Sequence, residues 1–181
     1  ANPKKNLYGT LAVARELERR RALPGQVLEV WGYGTDAPEF QELLQRWSLA
    51  GRVRLLGYLS DEETARRLAT ARLCLYLPLC EPFGLVAVEA LLAGTPVLAS
   101  DHGGPAEVVA RTGGGASADP LVPAQVVDAL EQLFSDPEAL ARMGARGREA
   151  ARSLFGMEAY LDRLERALRR TAGREKTAAP A

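Results

Sequence analysis

Residues 73–93 read LCLYLPLCEPFGLVAVEALLA. Leu73-Cys74-Leu75-Tyr76-Leu77 is a short apolar run that stops at Pro78, and a second apolar run, Leu85 to Ala93, begins just past Gly84. Length separates the two: the first suits a buried strand, the second a covered helix. Two glutamates, Glu81 and Glu89, bracket the turn with seven residues between them. At the start of such a helix the amides of Phe83, Gly84 and Leu85 have no intrahelical partner, and together with the helix dipole they suit phosphate oxygens. One carboxylate before the helix and another inside it can each accept hydrogen bonds from hydroxyls. Phosphate and hydroxyls together point to a sugar nucleotide.

Working outward, apolar runs and amphipathic segments alternate. Tyr8 to Arg19 carries Leu11, Ala14 and Leu17 at helical spacing. Val27 to Trp31 is a strand ending at Gly32, and Pro38 to Trp47 a helix with Pro38 suited to its first turn. Val53 to Leu56 is a strand stopped by Gly57. Ser60 with Glu63 forms a capping box that opens a helix to Ala71. Pro96 to Ser100 is a fourth strand, a short helix starts near Ala106, and a weaker strand lies near Ala116 to Ala118. This alternation predicts an α/β fold: a Rossmann-like, doubly wound parallel sheet flanked by helices. The polar turns that follow each strand then share one rim, where ligands bind in such sheets. From Val122 three helices follow, Pro123 to Phe134, Pro137 to Leu154 and Glu158 to Arg170. Residues 1–170 are expected to form the domain, and the small, polar stretch 171–181 a disordered tail.

A chain of 181 residues can bury a proper core, and its 47% hydrophobic and 25% charged residues are ordinary for a globular protein. Lys+Arg and Asp+Glu both number 23, so charge gives no argument for nucleic acid. Cys74 and Cys80 read as small core hydrophobes, and one histidine without a Cys/His cluster argues against structural zinc. The longest apolar stretch is broken by Glu89, Gly94 and Pro96, unlike a membrane span. With no leader segment either, a cytoplasmic location is expected. The arginines of the last two helices would suit peripheral contact with an acidic membrane face, against the plainer reading of a solvated face laced with Glu and Asp.

Gly32-Tyr33-Gly34 with Ala37 fits the dinucleotide fingerprint, but the next strand, Val53 to Gly57, ends without the acid that would hold an NAD ribose. Gly32 and Gly34 therefore read as a tight turn that lets a ligand approach the backbone. Glu89 sits among Leu85, Val86, Ala87, Val88, Ala90, Leu91, Leu92 and Ala93, which predicts a buried helix. A lone buried carboxylate needs a partner, either internal or a polar ligand. Glu81 could simply cap the helix. Lys4 and Lys5 read as solvated loop lysines, and His102 as an ordinary loop histidine.

With these residues in view, the chain resembles the C-terminal, nucleotide-sugar-binding domain of a family 4, retaining GT-B glycosyltransferase. Pro3-Lys4-Lys5-Asn6 is similar to that family's P-x-K-N/G loop, Gly32-Tyr33-Gly34 to its G-x-G turn, and Gly57-Tyr58-Leu59-Ser60 to the loop beside the base. Glu81-Pro82-Phe83-Gly84-Leu85 to Glu89 resembles the E-x7-E motif, followed by Gly94-Thr95-Pro96-Val97, Gly103-Gly104-Pro105-Ala106-Glu107 and Phe155-Gly156-Met157-Glu158. The resemblance implies that Lys5 and the amides of Gly84 and Leu85 hold the donor diphosphate. It gives Glu81 the sugar hydroxyls, Glu89 the ribose, and the backbone at Tyr58-Leu59 the base. It implies transfer from a nucleoside-diphosphate sugar with retention, no cofactor and no metal; the sequence carries no D-x-D motif.

The family's first strand of this domain, a clamp arginine and an N-terminal acceptor-binding domain would all precede Ala1. The chain, which opens Ala-Asn-Pro without methionine, is therefore expected to be half an enzyme, inactive alone. Thr112 to Ala116 is looser than the family's pattern. Alternatives are a non-catalytic nucleotide-sugar-binding module, for which retention of Lys5, Glu81 and Glu89 would be needless, and a sugar-nucleotide 2-epimerase-like domain.

Overall fold

In the computed structural model, which describes residues 5–175, the apolar runs and amphipathic segments become α1 (Leu7–Arg20), β1 (Leu28–Trp31), α2 (Pro38–Arg46), β2 (Val53–Gly57), α3 (Asp61–Thr70), β3 (Cys74–Tyr76), α4 (Leu85–Ala93), β4 (Val97–Ser100), α5 (Gly104–Thr112), β5 (Gly115–Ala118), α6 (Pro123–Phe134), α7 (Pro137–Phe155) and α8 (Met157–Glu175). Lys4 and residues 176–181 of the expected tail lie outside the described residues. Local chemistry sets many of the boundaries. The Ser60 hydroxyl accepts from the Glu63 amide, Asp136 accepts from the Ala139 amide, and Pro38, Pro105, Pro123 and Pro137 occupy first turns. α5 starts ahead of the expected Ala106 because Pro105, lacking an N–H, costs nothing in a first turn. α8 continues to Glu175, into the stretch expected to be a tail.

Every hydrogen-bonded strand pair is parallel, and β5 pairs with β4 despite its loose sequence. The side chains of β3 and β4 alternate between two cores, as a sheet covered on both faces requires. Cys74, Tyr76, Val97 and Ala99 join residues of α3, α4 and α5 on one face. Leu75, Leu77 and Leu98 join residues of α1 and α6 on the other. A third cluster seats Phe40 and Leu44 of α2 and Leu11 of α1 over Leu28, Val30, Val53 and Leu55.

The strands fall in two hydrogen-bonded pieces, β1-β2 and β3-β4-β5, where the sequence suggested one sheet. The unpaired backbone groups mark the break. The amides of Leu28 and Gly32 donate to the carbonyls of Arg52 and Gly57, so by the alternation of a parallel ladder those of Glu29 and Trp31 face away from β2. The Cys74 amide donates to Pro96, which turns that of Leu75 away from β4. These two edges line one cleft of about 770 Å³. Accordingly β4, paired on both sides, is wholly buried while β1 is only half-buried along its length.

No helix among the described residues is long and apolar enough to cross a membrane. On the last two helices Arg142 pairs with Glu138 and Arg169 with Glu165, the pattern of a solvated face.

Candidate functional site

The rim at the carboxyl ends of the strands gathers nearly all the polar residues singled out in the sequence. Lys5 reaches it because Asn6 pins the loop before α1: its Nδ2 donates to the Leu77 carbonyl at 3.0 Å, while its Oδ1 accepts from the Gly9 amide. Lys5 Nζ then lies 2.5 Å from Glu81 Oε2 and 3.0 Å from the Tyr76 hydroxyl, which itself donates to Glu81 Oε2 at 2.9 Å. Burial disfavours the Lys5 ammonium, but its bonds to Glu81 and Tyr76 outweigh this and hold its pKa above the ordinary lysine value. The Lys5 hydrogen bond, against partial burial, keeps the Glu81 carboxyl below the usual carboxylate range. Burial raises the Tyr76 phenol.

The turn from Glu81 to Gly84 is seated on the Gly103-Gly104 turn. The Gly104 amide donates to the Glu81 carbonyl at 2.9 Å, and a Cβ on Gly104 would fall 2.4 Å from the Pro82 carbonyl oxygen. Gly84 caps α4 in the left-handed region at φ 90°, and Pro105 fills the space a side chain there would need. The N-cap Gly84 makes no side-chain hydrogen bond and the first turn of α4 holds no acid, while the Gly84 backbone amide is among the groups that hold the Glu81 carboxyl low. Phe83 sets the turn from outside by an edge-on contact with Phe155 at 5.8 Å.

Glu89 corrects an expectation. The apolar composition of α4 predicts burial, yet Glu89 is exposed and Leu85, one turn earlier, is 63% exposed. Only Ala87, Val88, Ala90 and Leu91 are buried; the opposite face of the helix looks over the cleft, which Glu89 and Val86 line. Its carboxylate has no hydrogen bond or ion pair among the described residues. Burial, with a smaller push from this charge, raises the Cys74 thiol to about 12.

Gly32 and Gly34 form the tight turn expected after β1, both at positive φ, with the Thr35 hydroxyl donating to the Gly32 carbonyl. Tyr58 and Leu59 follow β2, and Tyr33 and Tyr58 stack on one another with ring centroids 4.7 Å apart. The sequence reading missed Tyr76, the Asn6 anchor and the aromatic pairing of Tyr33; the first two act across contacts some seventy residues apart, which no local pattern carries. His102, at the carboxyl end of β4, lies 3.4 Å from Asp101 and 3.8 Å from Asp119. That group is the one set of three metal-ligand side chains brought together among the described residues, and it lies at the ends of β4 and β5 rather than at α4.

The Lys5–Glu81 pair, the start of α4 and the exposed Glu89 thus lie together in the domain. The chain belongs to the family of glycosyl transferases group 1, whose model matches residues 1–150. It is 31% identical to the glycogen synthase of Mycobacterium tuberculosis (strain H37Rv) over 151 residues, covering 83% of this chain and 36% of that protein. It is 31% identical to human alpha-1,3/1,6-mannosyltransferase ALG2 over 128 residues, 71% of this chain and 30% of ALG2. It thus spans about a third of the length of these relatives. Among solved structures, sucrose-phosphate synthase from Thermosynechococcus elongatus superposes with a TM-score of 0.81 at 26% identity, over 95% of this chain and 43% of that one. Anabaena HepE in complex with UDP and glucose shares the fold, with a TM-score of 0.80 at 22% identity over 93% of this chain and 46% of that one. The expected GT-B type of domain is therefore the one the chain adopts.

Proposed function

We propose that this chain is the donor-binding half of a glycosyltransferase that moves a sugar from a nucleoside-diphosphate sugar to an acceptor, with retention of anomeric configuration. The observation that carries this is the Lys5–Glu81 pair at 2.5 Å beside the N-terminus of α4, with the unpartnered Glu89 on the same helix. A diphosphate placed there meets the Lys5 ammonium and the amides of Gly84 and Leu85, fixed positive groups aimed where charge develops as the glycosidic bond breaks. Glu81, released from Lys5 as the phosphate takes over the cation, accepts hydrogen bonds from sugar hydroxyls. Glu89 accepts from the ribose, and the backbone of Tyr58-Leu59 meets the base. Family membership and the binding of UDP by HepE support this assignment of the donor.

The positive charge is supplied by a side chain and backbone amides, so no metal or other cofactor enters the proposed chemistry. The donor's own phosphate serves as the base that deprotonates the acceptor, consistent with attack on the face the leaving group vacates. The acceptor is read by a partner domain, and this chain alone binds nucleotide weakly and transfers no sugar. A cytoplasmic location belongs to the same proposal.

Calorimetric titration with UDP, GDP and ADP tests the reading. At least one should bind the wild type and bind Glu89→Ala about tenfold more weakly, the loss of one charged hydrogen bond. Equal affinity would remove the ribose role of Glu89. Sugar transfer by this chain alone at rates normal for enzymes would refute the need for a partner domain.

A further inference from the structure

Glu81 Oε2 accepts from two side chains in opposite settings. Lys5 reaches it from the loop before α1, with a side chain 49% exposed. The Tyr76 hydroxyl reaches it from the end of β3, where the backbone is paired with Ala99 of β4 and the ring is packed among buried residues of α4 and α5. The hydroxyl accepts from Lys5 Nζ at 3.0 Å while it donates to Glu81 at 2.9 Å, so lysine, phenol and carboxylate close a triangle. Burial keeps the phenol protonated, and therefore a donor. A ring already fixed in the core gives up no further rotamer freedom to hold that bond, whereas an exposed lysine must be ordered to hold its own.

A diphosphate entering beside Lys5 competes with Glu81 for the ammonium and brings negative charge toward the carboxylate. Of its two side-chain donors, Glu81 then keeps the buried one. We propose that Tyr76 is a positioning residue for the donor sugar: its hydroxyl holds the Glu81 carboxylate toward the sugar hydroxyls once the diphosphate has drawn Lys5 away. This rests on the reading of the rim as a nucleotide-sugar site. Tyr76 touches no sugar and acts through Glu81. The bonds from Lys5 and Tyr76 both end on Oε2, so Oε1 receives neither. The phenol hydroxyl therefore matters to the sugar and not to the nucleotide.

Calorimetry with two pairs of probes, UDP with UDP-glucose and GDP with GDP-mannose, tests this on wild type, Tyr76→Phe, Glu81→Ala and the double variant. In at least one pair, wild type should bind the nucleotide sugar more tightly than its nucleotide. Tyr76→Phe keeps the ring in the core and removes only the hydroxyl. It should weaken that nucleotide sugar about tenfold, as expected for one hydrogen bond to a charged group, and leave the nucleotide within about twofold. In the Glu81→Ala background the same substitution should change neither by more than about twofold, because its partner is gone. An unchanged sugar preference in Tyr76→Phe overturns the proposal and leaves the nucleotide site standing. So does an equal loss for nucleotide and nucleotide sugar, or a loss that persists in full without the Glu81 carboxylate; either would make Tyr76 merely structural. Wild type that binds nucleotides with no gain from the sugar overturns Tyr76 together with the sugar role of Glu81. Wild type that binds none of the four probes overturns the site and the proposal together.

Discussion

Lys5 and Glu81, far apart in the chain, meet at 2.5 Å over the N-terminus of α4. The contact is possible because Asn6 hooks the start of α1 to the Leu77 carbonyl, so the loop carrying the lysine and the turn carrying the glutamate are held by the same end of β3. Each serves as the other's counter-ion.

That pairing has a pH signature. A carboxylate with a depressed folded pKa adds stability above its unfolded value, near ~4.3, and the contribution is lost as pH falls through the folded value. Both side chains are partly exposed, so the effect is small, about 0.5–1 kcal/mol. Denaturation of wild type and Glu81→Gln should differ by that amount at pH 7 and converge toward pH 3. A gap that persists into acid would mean that Glu81 acts through packing.

Glu89 has the opposite character. Exposed and without a protein partner among the described residues, it should be dispensable for folding. Glu89→Ala should leave the melting free energy within about 0.5 kcal/mol of wild type, because alanine is at least as good a helix former. A large destabilisation would reveal an internal role.

Gly104 is held by contact, since a Cβ there would fall 2.4 Å from the Pro82 carbonyl oxygen and 2.5 Å from the Phe83 backbone. Gly104→Ala should cost about 2 kcal/mol or more and push the Glu81–Gly84 turn away from α5. Urea denaturation reads the first effect, and weakened nucleotide binding the second.

The divided sheet predicts its own exchange pattern. Amides of Val30 and Cys74, turned toward their paired neighbours, should exchange with deuterium markedly more slowly than those of Glu29, Trp31 and Leu75, which face the cleft. Equal protection across the two sets would show that the facing edges are bonded.

Much of this was legible in the sequence, for physical reasons that can be named. α6 runs over the span that Pro123 and the apolar spacing mark out, and the Ser60–Glu63 box opens α3. Such signals are local, carried by residues three or four apart. The turn at Glu81–Gly84, the site's centre, was readable because a strand, a glycine and a helix follow one another directly. What failed was whatever depends on neighbours distant in the chain. Composition made α4 look buried all round, but exposure of its Leu85–Glu89 face follows from which strands flank the cleft. Likewise, the parallel character of the strands could be inferred, whereas the absence of hydrogen bonds between β1 and β3 could not.

The central claim is that the N-terminus of α4, with Lys5, receives a diphosphate. Amide NMR during titration with a nucleoside diphosphate tests it most directly. The expected result is saturable movement of the Gly84 and Leu85 amides, lost or strongly weakened in Lys5→Ala. Saturable shifts elsewhere, with these amides unmoved, would contradict it.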